Sequence, residues 1–185
     1  MEKETVVKIE QRMKKAVEHL RQELASVRTG KATTALLDPV KVEYYGSNVP
    51  LNQVAGISAP EPRLLVVHPW DRAMVPVVEK AILKADLGFN PASDGTVIRV
   101  PIPALTEERR KDLVKVVKKM VEEGRVSVRN LRRDGNEEIK KLEKDGKISE
   151  DSSHAAQNEI QELTDKHIKL MDELLAKKEA EIMEV

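Results

Sequence analysis

Arg125-Val-Ser-Val-Arg129-Asn-Leu-Arg132-Arg133-Asp134 sits inside a longer stretch, Leu113 to Leu142, whose spacing decides the architecture. Apolar residues recur there at Leu113, Val117, Met120/Val121, Val128, Leu131, Ile139 and Leu142. The steps are three, four or their sums, the pattern of a helix buried along one face. At about 100° per residue, Lys111, Lys118, Arg125, Arg129, Arg132 and Arg133 form a second stripe about a quarter turn away. One long helix is predicted, with a basic ridge beside an apolar seam.

Two more segments share the helical period. Residues 3–28 carry Val6, Ile9, Met13, Val17, Leu20, Leu24 and Val27 on one side, and residues 149–184 carry Ala156, Ile160, Leu163, His167, Leu170/Met171 and Leu174. The central helix is predicted over 106–144, with Thr106 as N-cap and acids in its first turn. Asp145-Gly146-Lys147 is the turn into the third helix. Each segment is apolar on one stripe only, so the three satisfy one another as an extended antiparallel bundle. The second and third helices would each be about 50–60 Å long. Gly124 and Gly135 fall on the buried stripe of the second, at up to about 1 kcal/mol each relative to Ala, and read as points of close approach or loosening.

Between the first and second helices the composition changes. All nine prolines lie from Pro39 to Pro103, together with all four aromatic residues, Tyr44, Tyr45, Trp70 and Phe89. Residues 40–44, 63–68 and 96–100 read as strands, with turns at Gly46-Ser-Asn48 and Asp94-Gly95. A short helix over 73–85 would cover them with Val77, Val78, Ala81 and Ile82, Pro76 being tolerated early in it. The fold class is therefore α+β: a bundle of residues 1–29 and 106–185 with an inserted β/α/β domain of residues 30–105. The insertion is tethered twice, through Thr29, Gly30 and Lys31 and through Pro103, Ala104, Leu105 and Thr106. Two short tethers predict a hinge, and a two-armed molecule with an elbow.

Composition excludes several function classes. There is no cysteine, hence no disulfide, thiol catalysis or thiolate metal site. No run of eighteen apolar residues and no leader pattern are present, so a soluble cytoplasmic protein without membrane contact is expected. Thr29-Gly30-Lys31 resembles a phosphate-binding loop only superficially, because Ala25 and Ala32 stand where that motif needs Gly and Ser or Thr. The four histidines lack ligand spacing, His167 reading as a core-edge residue, and no nucleophile elbow occurs. No enzyme activity, cofactor, metal or small-molecule substrate is expected. Few aromatics also argue against a base-stacking platform.

The net charge of +0 conceals a polarised chain. Residues 1–108 balance at 14 basic and 14 acidic side chains, residues 109–133 carry 10 and 3, and residues 134–185 carry 8 and 15. Such a chain can hold a polyanion at one patch without adhering to every polyanion. The plainest reading of a charged stripe is a solvated face stitched by pairs three or four residues apart. Lys118, Lys119 and Arg133 have such acids, at Glu122, Glu123 and Glu137. Arg129 and Arg132 have none at those spacings. They either meet the acidic third helix or await an external anion, and guanidinium forks suit phosphate oxygens. A structural coiled-coil adaptor and a general RNA-binding protein are the competing readings.

Several ordered motifs now stand out: Arg28-Thr-Gly-Lys-Ala32, Val42-Glu-Tyr-Tyr-Gly46, Asp86-Leu-Gly-Phe-Asn-Pro91, Leu105-Thr-Glu-Glu-Arg-Arg-Lys-Asp-Leu113 and Val126-Ser-Val-Arg-Asn-Leu-Arg-Arg-Asp134. Over essentially the whole chain they resemble bacterial ribosome recycling factor. The resemblance implies an L-shaped, tRNA-like monomer. It would act on the post-termination ribosome with elongation factor G and its GTP hydrolysis to separate the subunits. It also implies contacts to large-subunit rRNA by Arg110, Arg129 and Arg132, with Arg28 near the elbow, while the inserted domain faces elongation factor G. The chain departs from the family pattern at Lys31, where Arg is usual, and at Gly135, where a helix former such as Ala is usual.

Overall fold

The structure is a computed structural model and describes residues 1–184. Its four α-helices are α1 (Glu2–Ser26), α2 (Val75–Lys84), α3 (Glu107–Lys144) and α4 (Glu150–Met183). The chain divides into two compact units, Met1–Arg28 with Glu107–Val185, and Thr29–Thr106.

The first unit is α1, α3 and α4 packed on one another. Thr5 meets Glu138 where Arg12 meets Asp134, and Lys118 meets Glu179 where Arg125 meets Asp172, so both α1 and α4 run antiparallel to α3. The seam is the apolar stripe: Ile9, Met13, Val17 and Leu20 of α1, Val117, Val121, Val128 and Ile139 of α3, and Ile160 and Met171 of α4 are all buried. Four polar side chains lie in it as well. Thr164 donates its hydroxyl to Ile160 O at 2.8 Å, and Thr5 donates to Glu138 Oε1 at 3.0 Å. His167, expected at the core edge, is fully buried, with its Nδ1 2.6 Å from Leu163 O. That bond to the preceding turn provides a partner for one ring nitrogen, which is what makes burial tolerable.

Local chemistry sets the helix ends. α1 stops at Ser26, two residues short of expectation, because Val27 is extended (φ −75°, ψ 121°). Glu107 and Glu108 open α3 and Lys141 and Lys144 close it, both favourable to the helix dipole. Beyond Lys144, Lys147 N–H bonds Leu142 O and Gly146 N–H bonds Glu143 O, each at 2.9 Å, with Gly146 at φ +68°. This pair of bonds satisfies the last carbonyls and requires the left-handed glycine. Ser149 then caps α4, its Oγ accepting from Ser152 N–H at 3.1 Å.

Gly124 and Gly135 mark close approach. A Cβ on Gly135 would stand 3.0 Å from Ile9 Cγ1 and 3.1 Å from Ile160 Cδ1, so side chains of both neighbouring helices fill its notch. At Gly124 the neighbours are Met171 Sδ at 3.2 Å and Leu20 Cδ2 at 3.3 Å.

The second unit contains two antiparallel sheets. A hairpin pairs β1 (Lys41–Tyr44) with β2 (Ser47–Pro50). A four-stranded sheet is ordered β3 (Ala55–Glu61), β4 (Leu64–Pro69), β6 (Ile98–Pro101), β5 (Ala92–Ser93). Leu65 and Val67 of β4 and Ile98 and Val100 of β6 face a core completed by Val75, Val78 and Ile82 of α2 and by Leu37, Val40, Val42, Leu51 and Phe89. Three expectations need correction. The first turn lies at Tyr45-Gly46, both at positive φ (47° and 79°) as a two-residue hairpin requires, and Ser47 and Asn48 belong to β2. The strand at 40–44 belongs to that hairpin and not to the main sheet. Val77, expected to cover the sheet, is exposed, and Val75 takes the buried place.

Candidate nucleic-acid interface

The ridge residues of α3 differ sharply in how their charge is met. Arg125 is half-buried, its side chain 21% exposed against 43% for Arg129. It donates from Nε to Asp172 Oδ1 of α4 at 2.8 Å and from Nη1 to Glu122 Oε2 at 2.9 Å. The Asp172 bond is the main reason its pKa is raised. Arg129 donates from Nη1 to Glu122 Oε1 at 3.2 Å. Glu122 thus serves two arginines, and its carboxyl is held below the usual range by Arg125 first and Arg129 second. Lys118 meets Glu179 of α4 at 3.6 Å and not Glu122, and Lys111 meets Glu107 at 2.9 Å.

The expectation that Arg129 lacks an acid on its own helix is therefore corrected. Its acid lies seven residues back, two turns away and on the same face. A search restricted to neighbours three and four residues apart cannot find it. The missed acceptors on α4 have a simpler signal, because once the antiparallel register is known, Asp172 and Glu179 fall opposite Arg125 and Lys118.

Arg132 and Arg133 are different. Arg132 Nη1 donates at 3.3 Å to the neutral Oε1 of Gln161, whose Nε2 is held by Asp165 Oδ1 at 2.9 Å. This arrangement orients the guanidinium without cancelling its charge. Arg133 is exposed, and neither forms an ion pair among the described residues. The four arginines from 125 to 133 span little more than two turns. They form one patch whose charge is answered by acids at its Arg125 end and unanswered at its Arg132 end.

Arg110 lies elsewhere, roughly 30 Å along the axis from Arg132 at 1.5 Å per residue. It is half-buried, and its Nε has no hydrogen-bond partner. Arg28 is exposed just past α1. The register that sets Leu20 against Gly124 carries that end of α1 toward the Arg110 end of α3. The named arginines therefore fall into two groups.

The tether residues belong to the second unit. Gly30 adopts φ +78°, and the Cβ it lacks would stand 3.3 Å from Leu105 Cγ, so the two chain crossings lie side by side. Ala32 N–H bonds Pro62 O at 2.7 Å just beyond. Thr29 and Leu105 are half-buried, whereas Lys31, Pro103, Ala104 and Thr106 are exposed. Among the described residues no group of three or more His, Cys, Asp or Glu side chains is placed to hold a metal ion. None of the described helices is long and apolar enough to cross a membrane.

Known proteins resemble this chain along its length. The family model described as ribosome recycling factor matches residues 20–183. The ribosome-recycling factor of Symbiobacterium thermophilum is 60% identical over 185 residues, all of both chains. That of Heliobacterium modesticaldum is 58% identical over 176 residues, 95% of each. Among solved structures, a solution structure of ribosome recycling factor aligns with TM-score 0.79 at 47% identity, covering 100% of this chain and 98% of the other. Another, at TM-score 0.66 and 48% identity over the whole of both chains, is of the T. thermophilus ribosome recycling factor and the E. coli elongation factor G bound to the E. coli post-termination complex.

Proposed function

Since the chain belongs to the ribosome recycling factor family, a family of non-enzymatic translation factors, we propose that it docks the Arg132 end of its α3 ridge on large-subunit rRNA of the post-termination ribosome. It then acts with elongation factor G, whose GTP hydrolysis drives separation of the subunits. It works as a monomer in the cytoplasm. The observation that carries the docking step is the uncompensated guanidinium of Arg132, oriented by a neutral amide and flanked by the exposed Arg133. An oriented fork with spare donors suits a phosphate oxygen pair. Arg129 contributes while sharing Glu122, and Arg125 principally holds α4. Arg110 and Arg28 form a second contact region at the other end of α3. Thr29–Lys31 and Pro103–Thr106 form the hinge, where the chain crosses twice between the units.

A coiled-coil adaptor whose acidic helix neutralises the ridge accounts for Lys118 and Arg125, which do meet α4 acids, and leaves Arg132 and Arg133 unexplained. The deciding experiment is ribosome co-sedimentation of Arg132→Ala across salt concentrations, with subunit splitting measured alongside. Arg132 gives up one long bond to a neutral acceptor, so stability should stay within about 0.5 kcal/mol of the parent. Ribosome affinity should fall by about tenfold or more, the scale of a charge-assisted hydrogen bond. The slope of log affinity against log salt should drop by about 0.7–0.9 for the lost phosphate contact. Unchanged binding and splitting by a variant with intact circular dichroism would remove Arg132 from the interface.

A further inference from the structure

The second unit carries a groove of about 560 Å³ that the ridge reading does not use. The β1–β2 hairpin contributes Lys41, Glu43 and Asn48 to it, and α2 contributes Val77, Lys80, Ala81 and Lys84. Lys80 and Lys84 are one helical turn apart, and Val77 lies one turn before Lys80 on the same side. Lys84 has a structural reason to be there, since the last turn of a helix favours a cation. Lys80 and Lys41 have no such reason. None of the three ammonium groups forms an ion pair among the described residues. Like charges set one turn apart mildly destabilise a helix, and no ion pair among the described residues offsets that here.

The lining also selects among anions. Val77 is exposed on a helix whose neighbouring valines, Val75 and Val78, are buried, so an apolar spot adjoins the three cations. Glu43 repels carboxylates and phosphates alike, but its carboxylate can accept peptide N–H groups, which a phosphate backbone does not offer, and the Asn48 amide can both donate and accept. Lysines offer point charges, which attract carboxylates and phosphates alike without imposing the geometry of a fork on either. No aromatic ring lines the groove for a base to stack upon. Where β1 leaves the groove, the hairpin turns at Tyr45, which is 89% exposed and held at φ +47°. That conformation is unfavourable for a bulky side chain but is required by the two-residue turn, and the position leaves exposed a phenol ring of the kind enriched at protein interfaces.

We propose that this groove docks an extended acidic protein segment, with one apolar side chain against Val77 and Ala81 and carboxylates against Lys41, Lys80 and Lys84. The site is separate from the ridge and goes beyond the rRNA reading. The test is an NMR titration of the full-length, isotope-labelled chain with the peptide Asp-Asp-Glu-Leu-Glu-Asp-Asp. A uridine oligonucleotide and a peptide with lysines replacing the acids are titrated in parallel. Saturable shifts of backbone amides within 41–48 and 77–85 are expected with the acidic peptide alone. Lys80→Glu with Lys84→Glu should weaken them by about tenfold or more, while amides elsewhere keep their positions and report an intact fold. Absence of a saturable shift in those amides would overturn the proposal. So would their tighter saturation by the oligonucleotide, which would make the groove a phosphate-backbone site. No ribosome enters the titration, so its outcome is independent of the Arg132 reading.

Discussion

Replacing Gly135 by alanine sets two effects against each other, and the geometry decides between them. Alanine relieves the backbone entropy cost of glycine in a helix, a gain of about 1 kcal/mol. The new methyl, however, would stand 3.0 Å and 3.3 Å from Ile9 Cγ1 and Cδ1 and 3.1 Å from Ile160 Cδ1. These atoms belong to two different helices, and Ile9 and Ile160 are 1% and 0% exposed, so neither can swing aside without displacing its own neighbours. Overpacking of such a site costs about 1–3 kcal/mol, with the upper part of that range expected where both walls are rigid. The net expectation is a loss of about 1–2 kcal/mol. Urea unfolding followed by helical circular dichroism measures it. Ile160→Val removes the Cδ1 contact, so in that background the added methyl should cost about 0.5–1 kcal/mol less. Gly124→Ala is the internal comparison. Its closest neighbour is the flexible thioether of Met171, so propensity and crowding should nearly cancel. A Gly135→Ala protein as stable as the parent, or more so, would refute the argument that the notch is required by packing.

Arg125 and Asp172 should couple, since they link α3 to α4. A double-mutant cycle with Arg125→Ala and Asp172→Asn should return about 0.5–1 kcal/mol, kept small by the half-exposed carboxylate, and the coupling should shrink with added salt. Asp94 accepts Val97 N–H and Thr96 N–H at 2.9 Å and Arg99 Nη1 at 3.1 Å, bonds that hold its pKa at about 2 against an ordinary 3.8. Because the folded value is the lower one, its stabilisation of the β5–β6 turn is complete above pH 3.8 and is lost as pH falls through about 2. A carboxyl-carbon NMR titration should find that low midpoint, and Asp94→Asn should remove this part of the acid response.

The helices were legible because their burial is one-sided and long: a stripe repeated over many turns of α3 leaves no second solution. The strands were harder for reasons that can be named. β3 contains Gly56 and Pro60 and is followed by Pro62, and a strand tolerates proline only where no ladder bond is needed, which is the case at a sheet edge. Its chemistry therefore reads as loop until its position is known. β2 was hidden by Ser47 and Asn48, which favour turns as single residues, while the positive φ fell on Tyr45, a residue no turn preference would choose. At the ridge, sequence spacing left Arg132 without an acid, as the structure does, but it assigned Glu137 to Arg133, an ion pair absent among the described residues, and missed the reach of Arg129 over two turns. Gln161 as the group that orients Arg132 depends on the register between helices, which periodicity within one helix does not contain.

The side-by-side placement of Gly30 and Leu105 bears on how the chain folds. α3 and α4 are joined by a short turn and can pair early, but α1 must find them across the residues from Thr29 to Thr106. Closing an unstructured loop of that length costs about 4 kcal/mol by the logarithmic rule. If the insertion folds first, its own core brings the two crossings together and most of that entropy is already lost when α1 arrives. The small unit then serves the large one as a preformed clasp. A variant that unfolds only the insertion should assemble its bundle more slowly, even though every contact in the bundle is intact.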